Sequence, residues 1–243
     1  MNLGRGLSSL EVTEGSQAHE TRHRPGRAGM SSGPTLSIEV RFDLICPWCL
    51  IGKRHLDTAL DMLRGQQADV TVDVAWRSYP LMPGIPNEGL PFAAFYLQRL
   101  GSPEAVALRQ AQVREAARAA GVDIAFDRIA VFPNSLEAHR VVAQAQHQGG
   151  STLAGTVIDA LFECYFTQGR NIGDAEVLAD VQAACGIYPG EAAELDAQEA
   201  RGSHGVPYFR LNDTFVIEGA QRPTVLLDAM LRAHSSRLGT RRA

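Results

Sequence analysis

The chain of 243 residues contains only four cysteines. That is too few for a scaffold held by disulfides, so a close cysteine pair in it points to redox catalysis or metal binding instead of stapling. No apolar run approaches the ~20 residues that cross a bilayer, and residues 1–34 hold no apolar stretch of signal-peptide length. A basic excess is missing too. The formal net charge of −4 gives no general reason to expect nucleic acid as a partner. Internal repeats are absent. Residues 1–34 also lack any apolar periodicity that would offset the entropy of ordering, so a disordered N-terminal tail is expected there, with Met30 an alternative start. A soluble, uncleaved, cytoplasmic protein is the resulting expectation.

From Leu36 the pattern changes. Leu36, Ile38, Val40, Phe42 and Leu44 alternate with more polar residues, the period of a strand. A helix is expected next, with Cys49, Leu56, Leu60 and Leu63 on one face and Gly65 at its end. Val70, Val72, Val74 and Trp76 then share one side of a second strand. Between about 90 and 190 the sequence reads as helix after helix. Ser102-Pro103-Glu104 makes a helix start, Gly121 an end, and Asn134 with Glu137 a capping box. Thr152–Tyr165 and Asp174–Cys185 follow, the latter closed by Gly186. Strands return at Tyr208–Leu211 and Thr214–Ile217 around an Asn212-Asp213 hairpin turn, and Pro223 opens a last helix. This is an α/β unit interrupted by a helical block.

The strongest local signal is Cys46-Pro47-Trp48-Cys49 where a strand meets a helix. Only a thiolate attacks a disulfide, and a helix N-terminus favours an anion through unpaired N–H groups and its positive dipole end. Two intervening residues let the second sulfur, one turn in, reach the first. Pro47 suits the first helical turn because it needs no N–H partner. Trp48 brings no positive charge to the thiols. Zinc is the main alternative for such a pair, but it wants a second pair of ligands at close spacing, and Cys164 and Cys185 have none. The second signal is Gly205-Val206-Pro207-Tyr208-Phe209, ahead of a strand. Pro207 is either an ordinary strand-opening proline or a cis-proline. In the latter case the loop faces the cysteines, and the Val206 backbone, with Pro47 and Trp48, forms the candidate substrate-binding surface.

These residues carry a family resemblance. Asp43–Lys53 (DLICPWCLIGK), Asn134–Arg140 (NSLEAHR), Tyr165–Asp174 (YFTQGRNIGD) and Gly205–Phe209 (GVPYF) resemble the DsbA-type oxidoreductases, in the FrnE-like branch related to 2-hydroxychromene-2-carboxylate isomerases. The resemblance runs from about Leu36 to Leu231. It implies a thioredoxin-like fold over 35–90 and 190–235, a helical insertion over 91–189, and a flexible C-terminal tail over 236–243. It also implies Cys46 as nucleophile, Cys49 as resolving thiol and Pro207 as the cis-proline. No tightly bound cofactor and no metal are implied; glutathione or another low-molecular-weight thiol is the co-substrate to consider. Partners would be protein or small-molecule disulfides and thiols, with a homodimer allowed. The rival readings are a glutathione-dependent isomerase or transferase on the same fold, whose members carry serine in place of Cys46, and a non-catalytic chaperone-like binding protein.

The remaining candidates have plainer readings. Cys164 and Cys185 sit on apolar stripes and suit a core role. His204 and His55 suit solvated positions, His204 with a rim role as the sharper alternative. Lys53 lies too deep in its helix to act on Cys46 but is positioned to recruit acidic substrates. His139 suits packing, and Asp43 and Arg77 are candidate buried polar residues near the thiols, Asp43 with a conceivable role in proton transfer. Deleting residues 1–34 is expected to leave melting temperature and disulfide exchange nearly unchanged. A fall of more than a few degrees, or loss of most activity, would contradict the reading of that segment.

Overall fold

The computed structural model of the protein describes residues 35–188, 190, 195 and 205–240. The expectations for residues 1–34, Met30 and His204 lie outside those residues. The expected alternation produces strand β1 (Thr35–Phe42), whose even-numbered residues are all buried. A turn through Asp43–Ile45 leads to helix α1 (Pro47–Gln66), which buries the forecast stripe of Cys49, Leu56, Leu60 and Leu63. Strand β2 (Thr71–Ser78) runs parallel to β1 on one side. On the other side lie antiparallel β5 (Tyr208–Leu211) and β6 (Phe215–Glu218). The sheet order is β2-β1-β5-β6, and helix α6 (Pro223–Thr240) packs along α1. A mixed sheet whose halves flank a long insertion is the thioredoxin-like arrangement.

The insertion carries α2 (Phe92–Leu100), α3 (Pro103–Ala119), α4 (Leu136–Phe162) and α5 (Ala175–Cys185). Ser102 caps α3 as expected, its Oγ accepting from Ala105 N at 3.1 Å. Asp174 and Gly186 close the two ends of α5. Two short strands, β3 (Leu90–Pro91) and β4 (Val131–Phe132), pair at its base, so the block is helical but for that ladder. Helix α4 breaks at Gly149 and Gly150, where φ reaches +68°. This accounts for the separate helix that the sequence suggests from Thr152. No helix among the described residues is long and apolar enough to cross a membrane.

Three local expectations need correction. Gly65 does not end α1; the helix continues through Gln66, and Gln67 N returns to Leu63 O. Asn134 does not form a capping box with Glu137. Its Oδ1 accepts from Leu136 N and its Nδ2 donates to Ile85 O, while Glu137 pairs with Arg140 and Ser135 takes the cap position. The last helix reaches Thr240, so residues 236–240 are not a tail.

The Asn212-Asp213 turn has positive φ at both residues, 48° and 60°, the form that suits a two-residue hairpin. Asn212 is also a staple. Its Oδ1 accepts from Ser37 N at 3.0 Å and its Nδ2 donates to Ala233 O at 2.9 Å, tying the hairpin to β1 and α6. Asn212→Ala removes both bonds and leaves a β-carbon residue in the left-handed region. It is expected to cost about 2–3 kcal/mol of stability, read as a lower urea midpoint at unchanged slope. A loss under about 0.5 kcal/mol would remove the staple from the account of the fold.

Candidate active site

The site begins where β1 hands the chain to α1. Cys46 is the cap residue of α1, extended at φ −93° and ψ 112°, with Pro47 opening the first turn. Its carbonyl accepts from Cys49 N at 3.0 Å and Leu50 N at 3.3 Å, while its own N–H donates back to Asp43 O at 3.2 Å. The first cysteine therefore sits at the positive end of a 20-residue helix, as the motif predicts. Cys49 lies one turn deeper, 2 % exposed, and its sulfur accepts from Asp43 N at 3.5 Å. Burial first, and hydrogen bonding to Cys46 second, push the Cys49 thiol well above its ordinary range. The pair is thus unequal: Cys49 holds its proton and offers it to the Cys46 sulfur. Both are free thiols, as are buried Cys164 and half-buried Cys185.

The Val206–Pro207 peptide is cis, and the loop faces the motif. The Cys46 thiol donates to Val206 O at 3.8 Å. Pro207 rests on α1 at Gly52, where an added β-carbon would stand 2.8 Å from Pro207 Cγ and 3.4 Å from Phe209 Cζ. Absence of a side chain at Gly52 is what lets loop and helix approach. Pro47 and Trp48 are half-buried and form one wall of a cavity of about 190 Å³, whose other walls come from α2 and α3. The six residues singled out by sequence thus converge: Cys46, Cys49, Val206 and Pro207 around the sulfurs, Pro47 and Trp48 beside them.

Beneath the motif lies an unexpectedly elaborate polar centre. Asp43 is fully buried. Its Oδ1 accepts from Ser135 Oγ at 2.8 Å and Ile45 N at 3.4 Å and lies 3.1 Å from His139 Nε2, and its Oδ2 accepts from Leu81 N at 2.6 Å. His139 is buried as well, with Nδ1 unpartnered, so an Nε2–H tautomer leaves only an idle acceptor. The Asn134–Arg140 segment pointed to this contact without disclosing it. Asp43 reaches Cys49 only through its backbone, and its carboxylate is occupied, which does not fit the suggested proton transfer.

Other candidates fall away from the thiols. Lys53 is 5 % exposed and bound to Asp57 and Asp159 at 3.0 and 2.7 Å, above the Trp76 ring; it is not free to recruit substrates. Arg77, expected to be buried, is 41 % exposed and pairs with Glu39. His55 is half-buried, its Nδ1 against Gln221 O at 2.9 Å. The α2–α3 wall, with Tyr96, Arg99 and Arg109, was not legible in the sequence. Its helices carry no motif, and only the fold brings them over Trp48. Burial, reinforced by the nearby Cys46 charge and opposed by Arg99 and Arg109, pushes the Tyr96 hydroxyl up to about 12.

Comparison with known proteins agrees with this fold. The family model described as DSBA-like thioredoxin domain matches residues 37–231. A probable DsbA oxidoreductase from Streptomyces coelicolor is similar at 26 % identity and TM-score 0.69, over 82 % of this chain and 89 % of that one. The cytosolic disulfide reductase DsbM of Pseudomonas aeruginosa, crystallised with glutathione, is similar in fold at 19 % identity and TM-score 0.53, over 85 % and 100 % of the two chains. A 2-hydroxychromene-2-carboxylate isomerase is likewise similar in fold, at 15 % identity and TM-score 0.56, over 84 % and 98 %.

Gly52 supplies a direct test of the approach between loop and helix. A helical Gly→Ala change ordinarily gains up to about 1 kcal/mol. Gly52→Ala is expected instead to lose about 1–2 kcal/mol through the clash with Pro207 and to change the alkylation rate of Cys46. A rise in melting temperature with an unchanged alkylation rate would show that the contact constrains nothing.

Proposed function

We propose that this chain, which belongs to the family of DSBA-like thioredoxin domains, is a thiol–disulfide oxidoreductase that works through Cys46 and Cys49. The observation that carries the reading is the inequality of the pair. Cys46 occupies the N-terminal cap position of α1 with its thiol against Val206 O, and Cys49 lies one turn deeper with its proton directed to the first sulfur. Cys46 thiolate attacks one sulfur of a substrate disulfide, a mixed disulfide forms, and the second substrate sulfur leaves as a thiolate. Cys49 then attacks Cys46, its proton passing to the second departing thiolate. The enzyme ends as a Cys46–Cys49 disulfide and the substrate as two thiols; oxidation of a dithiol substrate is the reverse.

Val206 O lies within reach of the attacking sulfur, so an extended substrate strand can pair there. Pro207, lacking an N–H, presents no donor that competes for the sulfur. The small number of cysteines suits a reducing, cytoplasmic setting, with glutathione or another low-molecular-weight thiol as co-substrate and no tightly bound cofactor. In that setting reduction or isomerisation of disulfides is the favoured direction. The cysteine at 46 weighs against a glutathione-dependent isomerase.

Two serine substitutions separate the roles. Cys46→Ser is expected to abolish exchange, because a hydroxyl does not attack a disulfide at neutral pH. Cys49→Ser is expected to retain attack and lose resolution, so that covalent adducts accumulate on non-reducing gels and vanish with dithiothreitol. Retained isomerase turnover in Cys46→Ser, with no adduct on Cys49→Ser, would overturn the assignment.

A further inference from the structure

The helical lobe contains seven described arginines, at positions 99, 109, 114, 118, 128, 140 and 170. Five have partners. Arg114 pairs with Asp127, Arg118 with Asp123, Arg140 with Glu137 and Arg170 with Asp180, and Arg128 donates to Thr167 O. Arg99 and Arg109 have none among the described residues, and these two both line the cavity beside Pro47 and Trp48. They come from different helices, α2 and α3, so their convergence is not a run of like charges along one face. Tyr96 lines the same cavity as both arginines, and Pro47 and Trp48, which directly follow Cys46 in the chain, form its opposite wall.

Apart from Gln110 and the Tyr96 hydroxyl, the rest of the cavity lining is apolar. Phe92 and Phe126 are 5 % and 7 % exposed and stack at 6.2 Å, and Val113 is 2 % exposed. A short hydrocarbon arm is accommodated by such walls, and two cations without counter-ions among the described residues favour an anion at its end. A guanidinium binds a carboxylate through paired N–H donors. The volume of about 190 Å³ suits a group a few bonds long, not a folded segment of a protein.

We propose that this cavity is a carboxylate-binding subsite formed by Arg99 and Arg109, and that the protein acts on small disulfides whose arms end in carboxylates. The inference rests on the exchange reading above and names its substrate class. With one carboxylate on the arginines, the near sulfur of the disulfide meets Cys46. The S–S bond breaks, a Cys46 mixed disulfide forms, and one carboxylate-bearing thiolate departs. Cys49 displaces the second, so two electrons pass from the enzyme dithiol to the substrate.

Three disulfides of equal arm length provide the test: 3,3′-dithiodipropionate, bis(2-hydroxyethyl) disulfide and cystamine, ending in an anion, a neutral hydroxyl and a cation. Reduced full-length protein is mixed with each in excess, and loss of enzyme thiols is followed in a single turnover. Each rate is divided by that of the same disulfide with free 1-thioglycerol, a neutral thiol distinct from all three arms, which removes leaving-group differences. The normalised rates are expected to fall from anion to neutral to cation, with an anion-to-neutral ratio of roughly tenfold or more. Arg99→Gln and Arg109→Gln should each lower that ratio, the double variant should bring it near one, and 0.5 M salt should shrink it. Equal normalised rates in the wild type, or a ratio that survives in the double variant, would overturn the proposal. Reduction of insulin with no reaction of any small disulfide would overturn it while sparing the exchange activity. Failure with insulin and all three would overturn both.

Discussion

The site depends on one buried carboxylate. Asp43 has no exposed surface, and a carboxyl group at such a position is tolerated only when its hydrogen-bonding capacity is filled. Its donors come from three places: Ile45 N in the motif turn, Leu81 N in the loop after β2, and Ser135 and His139 at the start of α4. The thioredoxin unit and the helical lobe are therefore fastened together directly beneath the cysteines. Shifting either would leave buried hydrogen-bonding groups without partners, at a cost of about 1–3 kcal/mol for each group stranded. That constraint ties the turn carrying the motif to the start of α4.

The same centre shapes the cysteine pair. Asp43 N donates to the Cys49 sulfur while the carboxylate, turned to the lobe, raises the cost of charge on Cys49 by repulsion. Burial acts in the same direction. Cys46 lies at the helix terminus, where backbone N–H groups favour an anion. Opposite environments three residues apart thus divide the labour between attack and resolution without any charged side chain in the Pro47-Trp48 spacer. Gly52 completes the arrangement from the other side, since the Pro207 loop approaches the helix only where no β-carbon intervenes.

Much of this was legible in the sequence because it is local. The alternation of β1, the N-terminal motif of α1, the Asn212-Asp213 turn and the Ser102 cap each follow from a few neighbouring residues whose physical preferences agree. The proline loop was legible as a companion of the cysteines because the strand behind it was. What escaped was non-local. Asn134 and Glu137 have the spacing of a capping box, but Asn134 is drawn to Ile85 O and Glu137 to Arg140, bonds that only the folded chain offers. Lys53 reads as a cation positioned to recruit acidic substrates until α4 brings Asp159 to it. Gly65 is a helix end by rule, yet intrahelical bonding carries α1 past it.

The division between legible and hidden residues follows how each is constrained. Asp43, Gly52 and the cysteines are buried, and changing any of them disturbs packing or leaves polar groups unpaired. Arg99 and Arg109 are exposed at the outer edges of α2 and α3, where the fold asks nothing of a side chain beyond solubility. Substituting them leaves every buried hydrogen bond of the lobe in place. Chemistry at those positions can therefore vary while the Asp43 clamp, the Gly52 approach and the cysteine pair stay fixed. A scaffold that separates its reacting atoms from its recognition residues in this way can keep one reaction and change the molecules on which it is performed.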